Sequence, residues 1–125
     1  MAARKITLHC DVAVKDIACA AIRDYAHAAY PEGGSECAQV ARYTLLELAA
    51  DIDAGITDHR ETVEISKRPR VMVKTAIEYY FNRMDIARGV ASTHQRSLFL
   101  ELLEGKTVTS SDLQAAAAAD NDGIT

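Results

Sequence analysis

Histidine and cysteine are the residues of this chain best able to do chemistry, and their spacing argues against it. His9, His27, His59 and His94 are scattered, with no His-x3-His step and no nearby carboxylate pair. A metal needs several ligands converging at about 2 Å, so these histidines are expected on surfaces and helix faces, and no metal site is expected. Cys10, Cys19 and Cys37 are odd in number and contain no CxxC, which suggests neither a disulfide framework nor a zinc motif. Cys37 falls on the apolar stripe of a helix and is expected to be a buried structural thiol. No G-x-x-x-x-G-K-[ST], G-x-S-x-G or H-E-x-x-H is present. Gly105-Lys106-Thr107 looks like the end of a phosphate loop, but Phe99 and Leu100 stand where the upstream glycine belongs, so it is read as a helix C-cap. No catalytic residue and no cofactor is expected, and the chain reads as non-enzymatic.

Charge carries more information. Fourteen Lys and Arg against eighteen Asp and Glu give −4 over 125 residues, which argues against non-specific polyanion binding. The stretch Arg60 to Arg96, however, holds eight basic and four acidic residues, a local +4 that leaves −8 on the remainder. Such a patch fits local contact with phosphate or with an acidic protein; the plainer reading is a helix start dressed with solvated Lys and Arg. Hydrophobic residues at 49% and charged residues at 26% describe a folded domain. No run approaches a membrane span and the first residues lack a secretory apolar stretch, so a cytoplasmic product is expected.

The elements that must position these residues follow from periodicity. Residues 4–10 alternate, with Arg4, Ile6, Leu8 and Cys10 on one side and Lys5, Thr7 and His9 on the other, which predicts a short half-buried strand. Asp11 suits a helix N-cap, and apolar residues at three- and four-residue steps predict a helix from Val12 to about Tyr30, stopped by Pro31, Gly33 and Gly34. Ser35 can cap a second helix, Glu36 to Asp53, with Cys37, Val40, Ala41, Leu45, Leu48 and Ile52 as its apolar stripe and Gly55 at its C′ position. Residues 61–65 alternate again and favour a strand, with Asp58-x-x-Glu61 leaving a helix start open. Ser66, with Pro69 in the first turn, is expected to open a third helix that ends at Gly89. Its Tyr80 and Phe81 are expected in the core and Tyr79 exposed. Ser92-x-x-Gln95 reads as a capping box for a fourth helix, Thr93 to Glu104, and Ser111-x-x-Gln114 as the start of a short Ala-rich tail helix, with Asp120 to Thr125 expected to fray.

The resulting fold class is mainly α: four main helices plus a short tail helix, with one or two short β-strands. The chain states its pattern twice, as strand, helix, glycine break and helix. Leu45-Leu46-Glu47-Leu48 matches Phe99-Leu100-Glu101-Leu102 at an offset of 54. This divides it into a unit at 1–56, a second at 57–106 packed on the first, and a tail at 107–125; a single domain over 1–119 is the other division.

Arg4-Lys5-Ile6-Thr7-Leu8-His9-Cys10, the helix from Val12, and Gly34-Ser35 opening the second helix together resemble the ribbon-helix-helix family of DNA-binding proteins, the Arc/MetJ type. Glu61 to Ile65 with the helices after Ser66 and Ser92 is a weaker copy, which would make the chain a tandem form. The resemblance implies two antiparallel strands entering the major groove, with Lys5, Thr7 and His9 facing the bases and Gly34 and Ser35 at a phosphate. Lys67, Arg68 and Arg70 would position further phosphates. In a tandem arrangement strand 4–10 would pair with strand 61–65 inside one chain, allowing a monomer, and Glu64 would also face DNA; one strand per chain would instead require a dimer.

A rival frame, Met84 to Arg96, looks like a helix-turn-helix in which His94, Gln95 and Arg96 lead the recognition helix, although its turn spacing is off by about two residues. The expectation is therefore a small DNA-binding transcriptional regulator or accessory protein acting by site occupancy. The alternative is a protein-interaction module, such as a phage or mobile-element inhibitor (anti-CRISPR-like) that docks on a host nucleoprotein complex.

Overall fold

The structure, a computed structural model, describes residues 5–122. Arg4, placed at the head of the expected first strand, and the last three residues of the expected frayed tail lie outside them; Asp120 to Asp122, also expected to fray, are helical, and Asp120 is buried. Along the chain run β1 (Lys5–Cys10), α1 (Val12–Ala29), α2 (Glu36–Gly55), β2 (Thr62–Ser66), α3 (Arg70–Arg88), α4 (Thr93–Leu103), β3 (Thr107–Val108) and α5 (Ser110–Asp122). The fold is mainly helical with a small three-stranded sheet.

Alternation in β1 does what period two requires: Ile6, Leu8 and Cys10 are buried, while Lys5 is exposed and Thr7 and His9 are half-buried. β1 pairs antiparallel with β2, Ile6 opposite Ile65, Thr7 opposite Glu64 and Leu8 opposite Val63. The strand option at 61–65 is therefore the one adopted, shifted by one residue. A third strand was not expected. β3 runs parallel to β1, with His9 opposite Thr107 and Cys10 opposite Val108, so β1 is the centre of the order β2-β1-β3. Gly105 ends α4 in the left-handed region at φ +92°, as a helix-terminating glycine should, but the residues after it immediately join the sheet.

The helices cover the apolar side of the sheet. Ile6, Leu8 and Ile65 join Val14 and Ile22 of α1, Leu45 and Ile52 of α2, Ile77 and Phe81 of α3, and Phe99 and Leu102 of α4 in one hydrophobic cluster. Each fully buried aliphatic or aromatic side chain there contributes about 1.5–3 kcal/mol relative to exposure. Phe81 and Phe99 pack with their rings tilted by 46°, 5.4 Å between centroids. Tyr79 is half-buried instead of exposed, because Tyr25 packs on its ring at 5.7 Å and Arg83 lies over it at 5.5 Å.

The two expected sequence units exchange packing partners. The end of α2 lies on β2, where a Cβ at Gly55 would collide with Val63; the turn after α4 lies on β1, where Gly105 passes the Thr7 carbonyl. Gly55 is the last helical residue, before the C-cap Ile56 and so not at the C′ position, and its missing Cβ permits that approach. Leu45 and Leu48 in α2 and Phe99 and Leu102 in α4, the offset-54 pairs, are all buried.

The capping of three helices differs from expectation, although α4 starts at Thr93 as expected. α3 begins at Arg70 with Pro69 as N-cap, because Ser66 still belongs to β2 and its hydroxyl accepts from the Arg68 N–H at 3.2 Å. Ser92 makes no capping hydrogen bond. At α5 the reciprocal pair is Thr109 and Asp112, not Ser111 and Gln114: the Thr109 N–H donates to Asp112 Oδ2 at 3.0 Å and the Asp112 N–H to Thr109 Oγ1 at 3.3 Å. Asp11 and Ser35 cap α1 and α2 as expected, accepting from Val14 and Ala38 at 3.2 Å each.

Candidate nucleic-acid interface and the groove beside it

Sheet alternation turns Lys5, Thr7 and His9 to the side away from the core. On that side they line a concavity of about 390 Å3 together with Lys67 and Arg70, and with Leu103, Glu104 and Gly105 at the end of α4. Five of the eight residues expected to touch DNA thus share one surface. Its charge is mixed: Lys5, Lys67 and Arg70 stand against Glu104 and, opposite Thr7, Glu64. Lys5 Nζ lies 4.0 Å from Glu64 Oε2, and both side chains are 63% exposed. A pair that open to solvent contributes little and can exchange one partner for another.

The other three residues lie elsewhere. Gly34 and Ser35 precede α2, where the Ser35 hydroxyl is committed to its own helix and a Cβ on Gly34 would touch Ala38 and the Pro31 carbonyl at 3.4 Å. Arg68 belongs to a second and larger concavity of about 680 Å3, bounded by α2 on one side and by Glu64 to Ser66 and the start of α3 on the other. This groove was not expected. Its signal lay in the α2 stripe, which is longer than the core can cover: Leu45, Leu48 and Ile52 are buried, whereas Cys37 is exposed and Val40 is 66% exposed. The expectation that Cys37 is a buried thiol is therefore corrected.

Cys10 and Cys19 are buried. Burial, reinforced by Asp11, pushes the Cys10 thiol up to about 12, and burial pushes Cys19 up to about 11. Neither is a nucleophile at neutral pH. Among the described residues no group of His, Cys, Asp and Glu is arranged to hold a metal ion.

The helix-turn-helix frame is occupied from within. Arg96 donates through Nη1 to Glu78 Oε2 and through Nη2 to Asp85 Oδ2, both at 2.8 Å. Gln95 is buried and donates to Asp120 through its backbone N–H at 3.2 Å and through Nε2 at 3.3 Å. The side chains that would lead a recognition helix instead fasten α4 to α3 and α5.

No protein-family model matches this sequence, and neither a curated protein nor a solved structure gives a significant match. No described helix is long and apolar enough to cross a membrane.

Proposed function

We propose that the protein is a non-enzymatic DNA-binding regulator or accessory factor that acts by occupying a site, using the outer side of the paired strands β1 and β2. The observation that carries this reading is the convergence of Lys5, Thr7 and His9 with Lys67 and Arg70 on one solvent-facing concavity. Lysine and histidine can donate to purine acceptors and threonine can donate or accept, while Lys67 and Arg70 suit the flanking phosphates. The resemblance to the ribbon-helix-helix family supports the same surface. Gly34, Ser35 and Arg68 drop out of this footprint. Glu64 and Glu104 keep indiscriminate polyanion binding weak and confine contact to groups that fit between them.

With three cations on the surface, the logarithm of affinity should fall against log salt with a slope of roughly −2 to −3. A fluorescence-anisotropy titration on a pool of duplexes, repeated across salt concentrations, measures it. Lys5→Ala with Arg70→Ala should weaken binding and flatten the slope. Salt-independent retention, or retention unchanged by that double substitution, would overturn the reading.

A further inference from the structure

We propose that the groove between α2 and the β2–α3 turn is a docking site for one basic amphipathic α-helix of a partner protein. The inference does not rest on DNA binding, since of the residues argued for that surface its groove shares only Glu64.

The first ground is the shape of α2. One stripe, Leu45, Ala49 and Ile52, is spent on the core. A second runs from the exposed Cys37 through Ala41 and Thr44 to Leu48, which is itself buried in the core cluster, at steps of four, three and four, the seam spacing by which one helix receives another. Its outer members are short, so a partner backbone can come close. Val40, beside this seam, is 66% exposed, an apolar surface that folding of this chain leaves uncovered. Ile65, Pro69 and Met72 form an apolar opposite wall, so the seam lies in a slot. From Cys37 to Asp51 the slot runs about 21 Å along α2, the length of roughly four helical turns.

The second ground is charge. Glu47 and Asp51 stand one turn apart on the α2 rim and Glu64 stands on the other wall, against Arg68 as the lone cation of the lining. Among the described residues neither Glu47 nor Asp51 takes part in an ion pair, whereas Asp53, two residues on, holds Lys15 at 2.8 Å. Like charges one turn apart destabilise a helix unless something neutralises them. Lys or Arg residues flanking an apolar stripe would do so, and the acidic chain as a whole would speed their approach. A nucleic acid is excluded from this groove by the same carboxylates. A second copy of this chain offers Val71 and Ile86, exposed at 76% and 84% on α3, but that is a head-to-tail contact, which builds rings or open chains, not a self-complementary pair.

The test uses a synthetic helical peptide of about 18 residues, long enough for the slot, with leucines at i, i+3, i+4 and i+7 and lysines on both flanks. It is titrated by anisotropy and by amide NMR shifts of the full-length protein. Saturable binding is expected, with shifts centred on Val40, Ala41, Ile65 and Met72. Glu47→Lys with Asp51→Lys should weaken it about tenfold or more, and Val40→Glu should weaken it to a similar degree; all three sites are exposed, and unchanged thermal melting confirms that the variants fold. No binding would overturn the proposal. So would equal binding of a peptide of the same composition without the stripe, shifts centred on Lys5 and His9, or self-assembly abolished by Val40→Glu in sedimentation.

Discussion

The Asp120 carboxylate, near the end of α5, lies 2.8 Å from both the backbone nitrogen and Nδ1 of His94 at the start of α4. An ionised carboxylate only accepts, so Nδ1 carries the proton. Asp120 also takes the Gln95 N–H, and its side chain is 3% exposed. It therefore does for α4 what an N-cap side chain does, from 26 residues away in sequence. Ser92, at the N-cap itself, has a buried hydroxyl without a hydrogen bond. Asp120→Ala should cost about 1–3 kcal/mol in urea unfolding, whereas Ser92→Ala should stay within about 0.5 kcal/mol. The reverse order of effects would return the cap to Ser92.

Asp11 performs a similar double task. Its Oδ1 accepts from the Val14 N–H at 3.2 Å and its Oδ2 from the Ser110 N–H at 2.7 Å, so one carboxylate serves the starts of α1 and α5. Asp11→Ala should cost more than an ordinary cap, about 2–3 kcal/mol, and should loosen α5 in hydrogen exchange.

Acid sensitivity follows from these same two groups. Burial alone would raise both carboxyl pKa values, but the hydrogen bonds from Ser110 and Val14 to Asp11, and from His94 and Gln95 to Asp120, outweigh it and hold both below the usual 3.8. A folded-state pKa below the unfolded one gives stability that is present above the unfolded value and lost as pH falls through the folded one. Stability should therefore be level toward neutrality from these groups and fall below about pH 4. Asp11→Asn with Asp120→Asn should flatten that fall, measured as unfolding free energy against pH.

Thiol labelling should separate one cysteine from two. Cys37 is exposed and should react promptly with a disulfide reagent at pH 8, while Cys10 and Cys19, buried and with pKa values raised to about 12 and about 11, should wait for unfolding. Fast labelling of two or three thiols in the native protein would contradict the burial of β1 and α1.

Gly55 is required by packing and Gly89 by backbone conformation. A Cβ at 55 would collide with Val63, so Gly55→Ala should cost about 1–3 kcal/mol, with Val63→Ala in the same chain recovering part of it. At Gly89 nothing stands within 4 Å, but φ is +68°, and alanine there should cost about 1 kcal/mol with no rescue by neighbouring truncation. Thermal unfolding of the three variants distinguishes the two causes.

Local signals in the chain were sufficient for its five helices and for β1, and favoured a strand at β2. Alternation at Ile6, Leu8 and Cys10 places a strand, three-four spacing from Val14 to Ile22 places a helix, and Asp11 and Ser35 mark caps, because each depends on neighbours within a few residues. The outward orientation of Lys5, Thr7 and His9 followed from the same period of two. Contacts between distant segments were not written locally. Val108 joins the sheet as part of a two-residue strand too short to show a period, and Asp120 caps α4 through His94, 26 residues earlier. The apolar stripe of α2 is continuous in sequence from Cys37 to Ile52, yet tertiary packing covers only its second half. Hydrophobic spacing fixes which side chains share a helix face; only the arrangement of the other elements decides whether that face meets the core or water.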